Sequence, residues 1–334
     1  MNHPEFATHW ASELGSSEET LVPLRGGMNN YVFRCGIKLR RWVIKGYPKY
    51  EIGKPDRMQS EIEFLQYANQ VAPTRVPELI AIDKARRCVV LEYIEGSGYP
   101  EGVSPPAGDV KEALEFFRLL NADMVVAMQN IHLDAAEGFP SLTQHMANVY
   151  ERIALMRTEH LPRDFVQICT KILSILRSDT EDLADILYRG INNGNIDDFL
   201  DPKRRCVSPS DFGFHNAIRT KKCIKFIDFE FAGWDDPSKV CCDFTLQQRN
   251  PINASAIHIH AALFSALDRK ATMRLLTMHR ILRLKWACIV MNILNPDRFQ
   301  SLLAINKYSN PESLVSLQIS RLMRHRHLRI GLEI

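Results

Sequence analysis

No apolar run in this chain is long enough to cross a bilayer. A spanning helix needs roughly 18–20 apolar residues, and the richest stretch, residues 254–267, is shorter and carries His258 and His260. The opening residues, MNHPEFATHWASELG, lack the basic start and apolar run of a secretory signal. No membrane partner is expected, and a cytoplasmic location is. Neither sign of charge is in excess: 42 basic and 39 acidic residues leave a net +3. That balance does not make the electrostatic footprint of a nucleic-acid binder, so no nucleic-acid partner is expected either. The eight cysteines include no C-x-x-C pair, and the adjacent Cys241 and Cys242 are poorly placed to bridge each other. Free, buried thiols in a reducing compartment are the expectation. Internal repeats and low-complexity tracts are also missing.

What is present is a globular balance, 46% hydrophobic and 24% charged, sufficient to bury a sizeable core. A length of 334 residues suits two domains or one two-lobed domain. Residues 21–24, 31–35, 41–45, 79–83 and 88–93 are short runs rich in Val, Ile and aromatics, and are predicted as strands. A helix over 57–69 interrupts them, with Ile62, Leu65 and Tyr67 as its apolar stripe. Residues 95–108, EGSGYPEGVSPPAG, are so rich in Gly and Pro that only loop is expected. Beyond them, three- and four-residue apolar spacing predicts helices over 110–132, 142–156, 164–177 and 180–190, and again across 255–324. Two strand-like runs, 205–207 and 223–229, intrude. The expected plan is an N-terminal sheet-based lobe (1–94), a linker and loop (95–108), and a larger helical lobe (109–334) holding a catalytic segment at 208–237.

That segment, SPSDFGFHNAI…IKFIDFEFAGWDDP, carries the strongest chemical signal. Asp211 is followed five residues later by Asn216, and Asp228 closes an apolar strand seventeen residues beyond Asp211. Phosphoryl transfer from a nucleotide needs a carboxylate near the acceptor hydroxyl and oxygen ligands for Mg²⁺. Mg²⁺ favours carboxylate and amide oxygens together with water, which suits Asn216 and Asp228. The letters Asp211-Phe212-Gly213 spell the metal motif of protein kinases, but there the catalytic Asp and its Asn come first. Asp211 therefore reads as the catalytic-loop residue and Asp228 as the metal-binding one. No A-P-E follows Asp228, and Asp236-Pro237 arrives too soon for an activation loop. A protein kinase is disfavoured.

The segment resembles the catalytic core of the aminoglycoside phosphotransferase, choline kinase and related small-molecule kinase superfamily, H-G-D-x-x-x-x-N followed by I-D-F-E-x-A-G-x-x-D-P. IDFE matches at 227–230, AG at 232–233 and DP at 236–237, and Asp243 corresponds to a further Asp downstream. The departure is Pro209-Ser210 in place of His-Gly, whose His supports the loop in the family; His215, just before Asn216, is also unusual. Upstream, LRGGMNNYVFRC (24–35) resembles the family's L-x-G-G-x-x-N-x-x-[YF] loop through Gly26, Gly27, Asn30 and Phe33. Glycines there let backbone N–H groups approach phosphates. Lys45 follows in the place of the kinase Lys that holds the α- and β-phosphates. Glu61 matches the R-E-x-x-x-L spacing and is preferred over Glu63 as the carboxylate that directs Lys45. LEYIEG (91–96) resembles the inter-lobe linker, where backbone groups of Glu92, Tyr93 and Ile94 would bond the adenine edge.

The resemblance spans residues ~20–245. It implies an α+β, protein-kinase-like two-lobed fold, with a small antiparallel-sheet N-lobe containing one helix and a large, mainly helical C-lobe. It implies Mg²⁺ as cofactor, ATP or GTP as phosphoryl donor, Asp211 as base or hydroxyl-orienting group, and Asn216 and Asp228 as metal ligands. The acceptor would be a hydroxyl of a small molecule: a sugar, an amino-alcohol or an aminoglycoside-like compound. The alternative is a catalytically inactive kinase-like protein that holds a nucleotide or a partner, supported only by Pro209-Ser210. No motif reads out the acceptor or an oligomeric state. Acidic groups at 179–185 and at Asp197, Asp198 and Asp201 could attract a cationic acceptor, although such groups are more often solvated helix ends and turns.

Overall fold

Alternating β-branched and aromatic residues near the N-terminus pair into a sheet. The computed structural model describes residues 3–24, 30–37, 40–50, 55–264, 268–304 and 310–325. The chain divides into two compact units, residues 1–138 with 206–235, and 139–205 with 236–334.

In the first unit, α1 (Glu5–Glu13) precedes β1 (Val22–Pro23), β2 (Tyr31–Ile37) and β3 (Arg40–Gly46). Then come α2 (Arg57–Val71), β4 (Leu79–Asp83), β5 (Cys88–Glu92), β6 (Ser97–Gly98), α3 (Ala107–Leu120) and α4 (Met124–Asn130). The returning segment adds β7 (Cys206–Ser208), β8 (Ala217–Arg219), β9 (Ile224–Phe226) and β10 (Gly233–Asp235). Strands β1 to β5 form one antiparallel sheet in the order β1-β2-β3-β5-β4. Phe33, Cys35 and Ile44 share a face of that sheet and are buried with Ala7, Ala11 and Leu21. Because successive side chains alternate across a strand, Lys45 must point to the other face. Its register is opposite Val32 on β2 and Val89 on β5.

Helix α2 starts at Asp56, whose carboxylate accepts from the Met58 N–H at 3.1 Å and is paired with Arg87 at 2.8 Å. Such a cap satisfies an N–H that the first turn would leave unpaired.

Residues 95–108 are not wholly loop. Ser97 and Gly98 pair with β8, a contact made by backbone alone, and α3 begins at Ala107 because Pro105 and Pro106 precede the helix rather than interrupt it. The single helix expected over 110–132 is split at Asn121. That side chain accepts from the Val207 N–H at 2.8 Å and donates to the Val207 carbonyl at 3.0 Å, and Asp123 then caps α4. Gly233 has no room for a side chain: a Cβ there would sit 2.5 Å from the Leu133 carbonyl oxygen.

The second unit is helical: α5 (Leu142–Ala154), α6 (Arg163–Asn192), α7 (Pro237–Leu246), α8 (Ala256–Leu263), α9 (Arg269–Val290), α10 (Pro296–Ala304) and α11 (Pro311–His325). Where two helices were expected, α6 is continuous. Leu176, Thr180 and Leu183 carry its buried stripe through the polar Ser178-Asp179 pair, and the Thr180 hydroxyl bonds back to the Leu176 carbonyl at 2.7 Å. Helix α7 was not expected, although its start signal was in view. Asp236 caps it by accepting from the Ser238 N–H at 2.8 Å, and Pro237 occupies the first turn, where its missing N–H costs nothing. Buried Arg274 on α9 holds Asp236 at 2.7 Å and donates to the carbonyls of Asp197 and Asp198. The acids at 197, 198 and 201 serve local structure. Asp198 accepts from Thr143, Asp197 pairs with Lys270 and Asp201 accepts from the Lys203 N–H.

All eight cysteines are free thiols, and all but Cys223 are buried. Among the described residues no helix is long and apolar enough to cross a membrane.

Candidate active site

The side chains of Lys45, Glu61 and Asp228, from separate segments of the first unit, meet. The Lys45 ammonium lies 2.5 Å from Glu61 Oε2 on α2 and 2.5 Å from Asp228 Oδ1, a residue 183 positions away. Glu61 is buried and also accepts from the Tyr47 hydroxyl at 2.6 Å and the Phe229 N–H at 3.4 Å. Burial by itself would push the Lys45 pKa down. The Glu61 and Asp228 carboxylates outweigh it and hold the ammonium well above the usual lysine range. Burial and the same Glu61 carboxylate push Tyr47 well above the usual phenol range. Glu63 points elsewhere, accepting from the His132 N–H at 3.0 Å.

The two candidate aspartates are aimed by the phenylalanines that follow them. Phe212 and Phe229 are buried, Phe229 stacking on Phe64 at 4.5 Å and Phe212 lying 5.0 Å from Phe226, which itself stacks on Phe116. Each buried Phe contributes on the order of 1.5–3 kcal/mol, and driving it inward turns the preceding Asp outward. Asp211, Asn216 and Asp228 accordingly line one small concavity. Asn216 donates to the Asp211 carbonyl at 3.0 Å and to its Oδ2 at 3.3 Å, and His215 Nε2 lies 3.1 Å from Asp211 Oδ1.

Of the four non-glycine residues with left-handed backbone among those described, two belong to this site: Ser210 (φ 65°) and Asp228 (φ 69°). Such conformations persist where surrounding contacts enforce them. Ser210 stands where the family pattern has Gly, and its N–H is held by the Ser208 hydroxyl at 2.9 Å. That bond survives in glycine, so Ser210→Gly is expected to raise the unfolding free energy by about 0.5–1 kcal/mol. A shifted urea midpoint at unchanged slope would register this; a lower midpoint would mean that the Ser210 hydroxyl itself makes a stabilising contact.

Asn30 donates to Glu230, which is buried and also faces Arg57 at 3.6 Å. Burial, then the neighbouring Asp228 charge, raises the Glu230 pKa. Gly26 and Gly27 lie outside the described residues. The Glu92 N–H is taken by the Glu78 carbonyl at 2.9 Å, and its carboxylate pairs with Lys225 at 2.6 Å. Tyr93 and Ile94 lie past the end of β5, where ladder pairing has stopped.

Sequence reasoning gave no role to Tyr47, Arg57, Glu230 or the phenylalanine anchors. Tyr47 lies two positions beyond Lys45, on the same face by the strand period, and that signal could have found it. Glu230 closes the IDFE match at 227–230, whereas Arg57 carries no comparable local signal.

Among the described residues no three His, Cys, Asp or Glu side chains form a self-contained metal centre. Asn216 and Asp228 line the same concavity, and each carries oxygen atoms that could face a cation there. With the Asn216 nitrogen spent on Asp211 and Asp228 Oδ1 on Lys45, the Asn216 amide oxygen and the second Asp228 oxygen are left as donor atoms. Hard oxygens completed by phosphate and water are the donor set Mg²⁺ takes.

The sheet with its single long helix, followed by a mainly helical remainder, defines an α+β protein of protein-kinase-like fold. Solved structures of that fold align over nearly the whole chain. One is a choline/ethanolamine kinase family protein from Mesorhizobium loti, at 17% identity and TM-score 0.53, covering 96% of this chain and 94% of that one. Another is spectinomycin phosphotransferase in complex with ADP and spectinomycin, at 12% identity and TM-score 0.60, covering 96% and 98%. A third is amicoumacin kinase in complex with AMP-PNP and Ca²⁺, at 10% identity and TM-score 0.50, covering 94% and 91%. At these identities the likeness establishes the fold alone. No curated protein sequence matches significantly. The model of the phosphotransferase enzyme family (APH) matches residues 20–245, and the chain belongs to that family.

Proposed function

We propose that this protein is a small-molecule kinase that moves the γ-phosphoryl group of ATP or GTP to a hydroxyl of a sugar, amino-alcohol or aminoglycoside-like acceptor. The observation that carries the reading is the ammonium of Lys45 held between Glu61 and Asp228, in the unit that also holds the Asp211–Asn216 loop. In this reading residues 1–94 bind the nucleotide, 95–108 link, and 109–334 form the helical lobe, in the cytoplasm. Lys45, directed by Glu61, grips the α- and β-phosphates. The Gly26-Gly27 loop with Asn30 cradles the triphosphate, and backbone at Glu92, Tyr93 and Ile94 meets the base, Glu92 through its carbonyl. Asp211 accepts a hydrogen bond from the acceptor hydroxyl and aligns it. The hydroxyl oxygen bonds to the γ-phosphorus, the bond to the β–γ bridging oxygen breaks, the nucleoside diphosphate leaves, and Asp211 takes up the proton. Asn216 and Asp228 would hold Mg²⁺, which supplies neutralisation of charge on the phosphates. Catalysis of this kind is positioning and electrostatics. The ADP and AMP-PNP complexes of two proteins of the same fold support a nucleoside-triphosphate donor, and the Ca²⁺ in one supports a divalent ion.

The test is turnover of purified protein with Mg-ATP and Mg-GTP against sugars, amino-alcohols and aminoglycosides, wild type beside Asp211→Asn. Removing the carboxylate is expected to lower kcat by ~10²–10⁴-fold with nucleotide KM little changed. Nucleotide binding without turnover on any acceptor would favour an inactive, kinase-like binder instead.

A further inference from the structure

We infer that His215 is a positioning residue for Asp211, its Nε2–H fixing one carboxylate oxygen while Asn216 fixes the other. The inference rests on the reading of Asp211 as the group that aligns the acceptor hydroxyl. His215 sits on the short turn Phe214–Asn216, four residues after Asp211, with Nε2 3.1 Å from Oδ1. Asn216 Nδ2 is 3.3 Å from Oδ2 and 3.0 Å from the Asp211 carbonyl. A carboxylate only accepts, so the His215 proton facing it is on Nε2.

Exposure separates the partners. The Asp211 side chain is 44% exposed and would sample several rotamers, whereas the His215 ring is only 11% exposed and fixed by packing. The other ring nitrogen, Nδ1, is buried without a partner. A buried polar atom left unpaired is unfavourable, and an apolar side chain of similar size would avoid it. What the imidazole supplies here is the Nε2 contact. The placement also answers the missing His-Gly. With Pro209-Ser210 before the catalytic aspartate, the chain has no imidazole on the N-terminal side of Asp211 and carries one on the C-terminal side. A carboxylate gripped at both oxygens presents one fixed direction to the hydroxyl, and misplacement of about 1 Å in such a site lowers rates ~10²-fold.

The experiment compares His215→Gln, His215→Asn, His215→Leu and Asp211→Asn. Kinetics use Mg-ATP with whichever acceptor is turned over fastest, water included, and folding is monitored by circular dichroism. A glutamine amide reaches the position of Nε2, while an asparagine amide reaches only that of Nδ1. His215→Gln is therefore expected to keep kcat within about threefold of wild type. His215→Asn and His215→Leu should lose ~10–100-fold in kcat, with nucleotide KM within about twofold. Should His215→Leu fail to fold, the Gln–Asn contrast carries the test, because both are polar and both leave the ring cavity partly empty. Equal rates for Gln and Asn, or a fully active folded Leu variant, beside an inactive Asp211→Asn would overturn the inference and leave the kinase reading standing. An active Asp211→Asn would remove the reading itself, and the inference with it.

Discussion

Asp228→Asn is expected to lower kcat by at least ~10³-fold, because its carboxylate pairs with Lys45 and, in the proposed function, would also supply an oxygen for the divalent ion. Asparagine is the informative substitution. Asp228 has φ 69°, a conformation that Asn tolerates and that strains Ala. Asp228→Ala should be equally inactive, with an added stability loss from its backbone. The carboxylate is 36% exposed, and its buried partner Lys45 keeps the Glu61 carboxylate at 2.5 Å, so the Asn variant should stay folded. Steady-state kinetics over a Mg²⁺ titration, paired with urea unfolding, separate the two effects. Wild-type turnover in a folded Asp228→Asn protein would take this residue out of the mechanism.

The Lys45–Glu61 pair should show strong coupling. Both are buried, and removing one partner of a buried ion pair costs about 3–5 kcal/mol because the other charge is left uncompensated. Lys45→Met leaves Glu61 buried with only the Tyr47 hydroxyl and the Phe229 N–H. Glu61→Leu leaves Lys45 with Asp228 alone. The double variant removes both charges and should recover most of the lost stability, with a coupling energy of at least ~2 kcal/mol. All three should be inactive, since the ammonium or its direction is lost. Urea unfolding of the four proteins reads the cycle, and additive single effects would show that the pair does not act as a unit. The pH sign follows from the raised lysine pKa. The pair's contribution is fully present below the ordinary lysine pKa and is lost only as pH rises through the higher, folded value. The coupling should therefore be flat across the neutral range.

Local chemistry was legible where its partners are close in the chain. Asp211 and Asn216 are five residues apart, and a turn of that length brings them together. Glu61 and Glu63 could be told apart by helix spacing, and Glu61 is the one at Lys45. The α7 start is written in Asp236-Pro237, a two-residue cap signal that is weak beside the longer apolar periods that identify helices. The β6–β8 pairing left no trace, because two residues bonded through backbone need no side-chain preference. The continuity of α6 through Ser178-Asp179 depends on what its buried stripe packs against, and propensity at those two residues yields to it.

Order and spacing along the chain thus determined the kinds of element, the phosphotransferase motif and the residue types suited to phosphoryl chemistry. Each of these depends on neighbours within a turn or two. Tertiary structure alone decided that a lysine and an aspartate 183 residues apart touch and that buried phenylalanines turn the two aspartates outward. Those contacts depend on which surfaces are buried together, a property no local window contains.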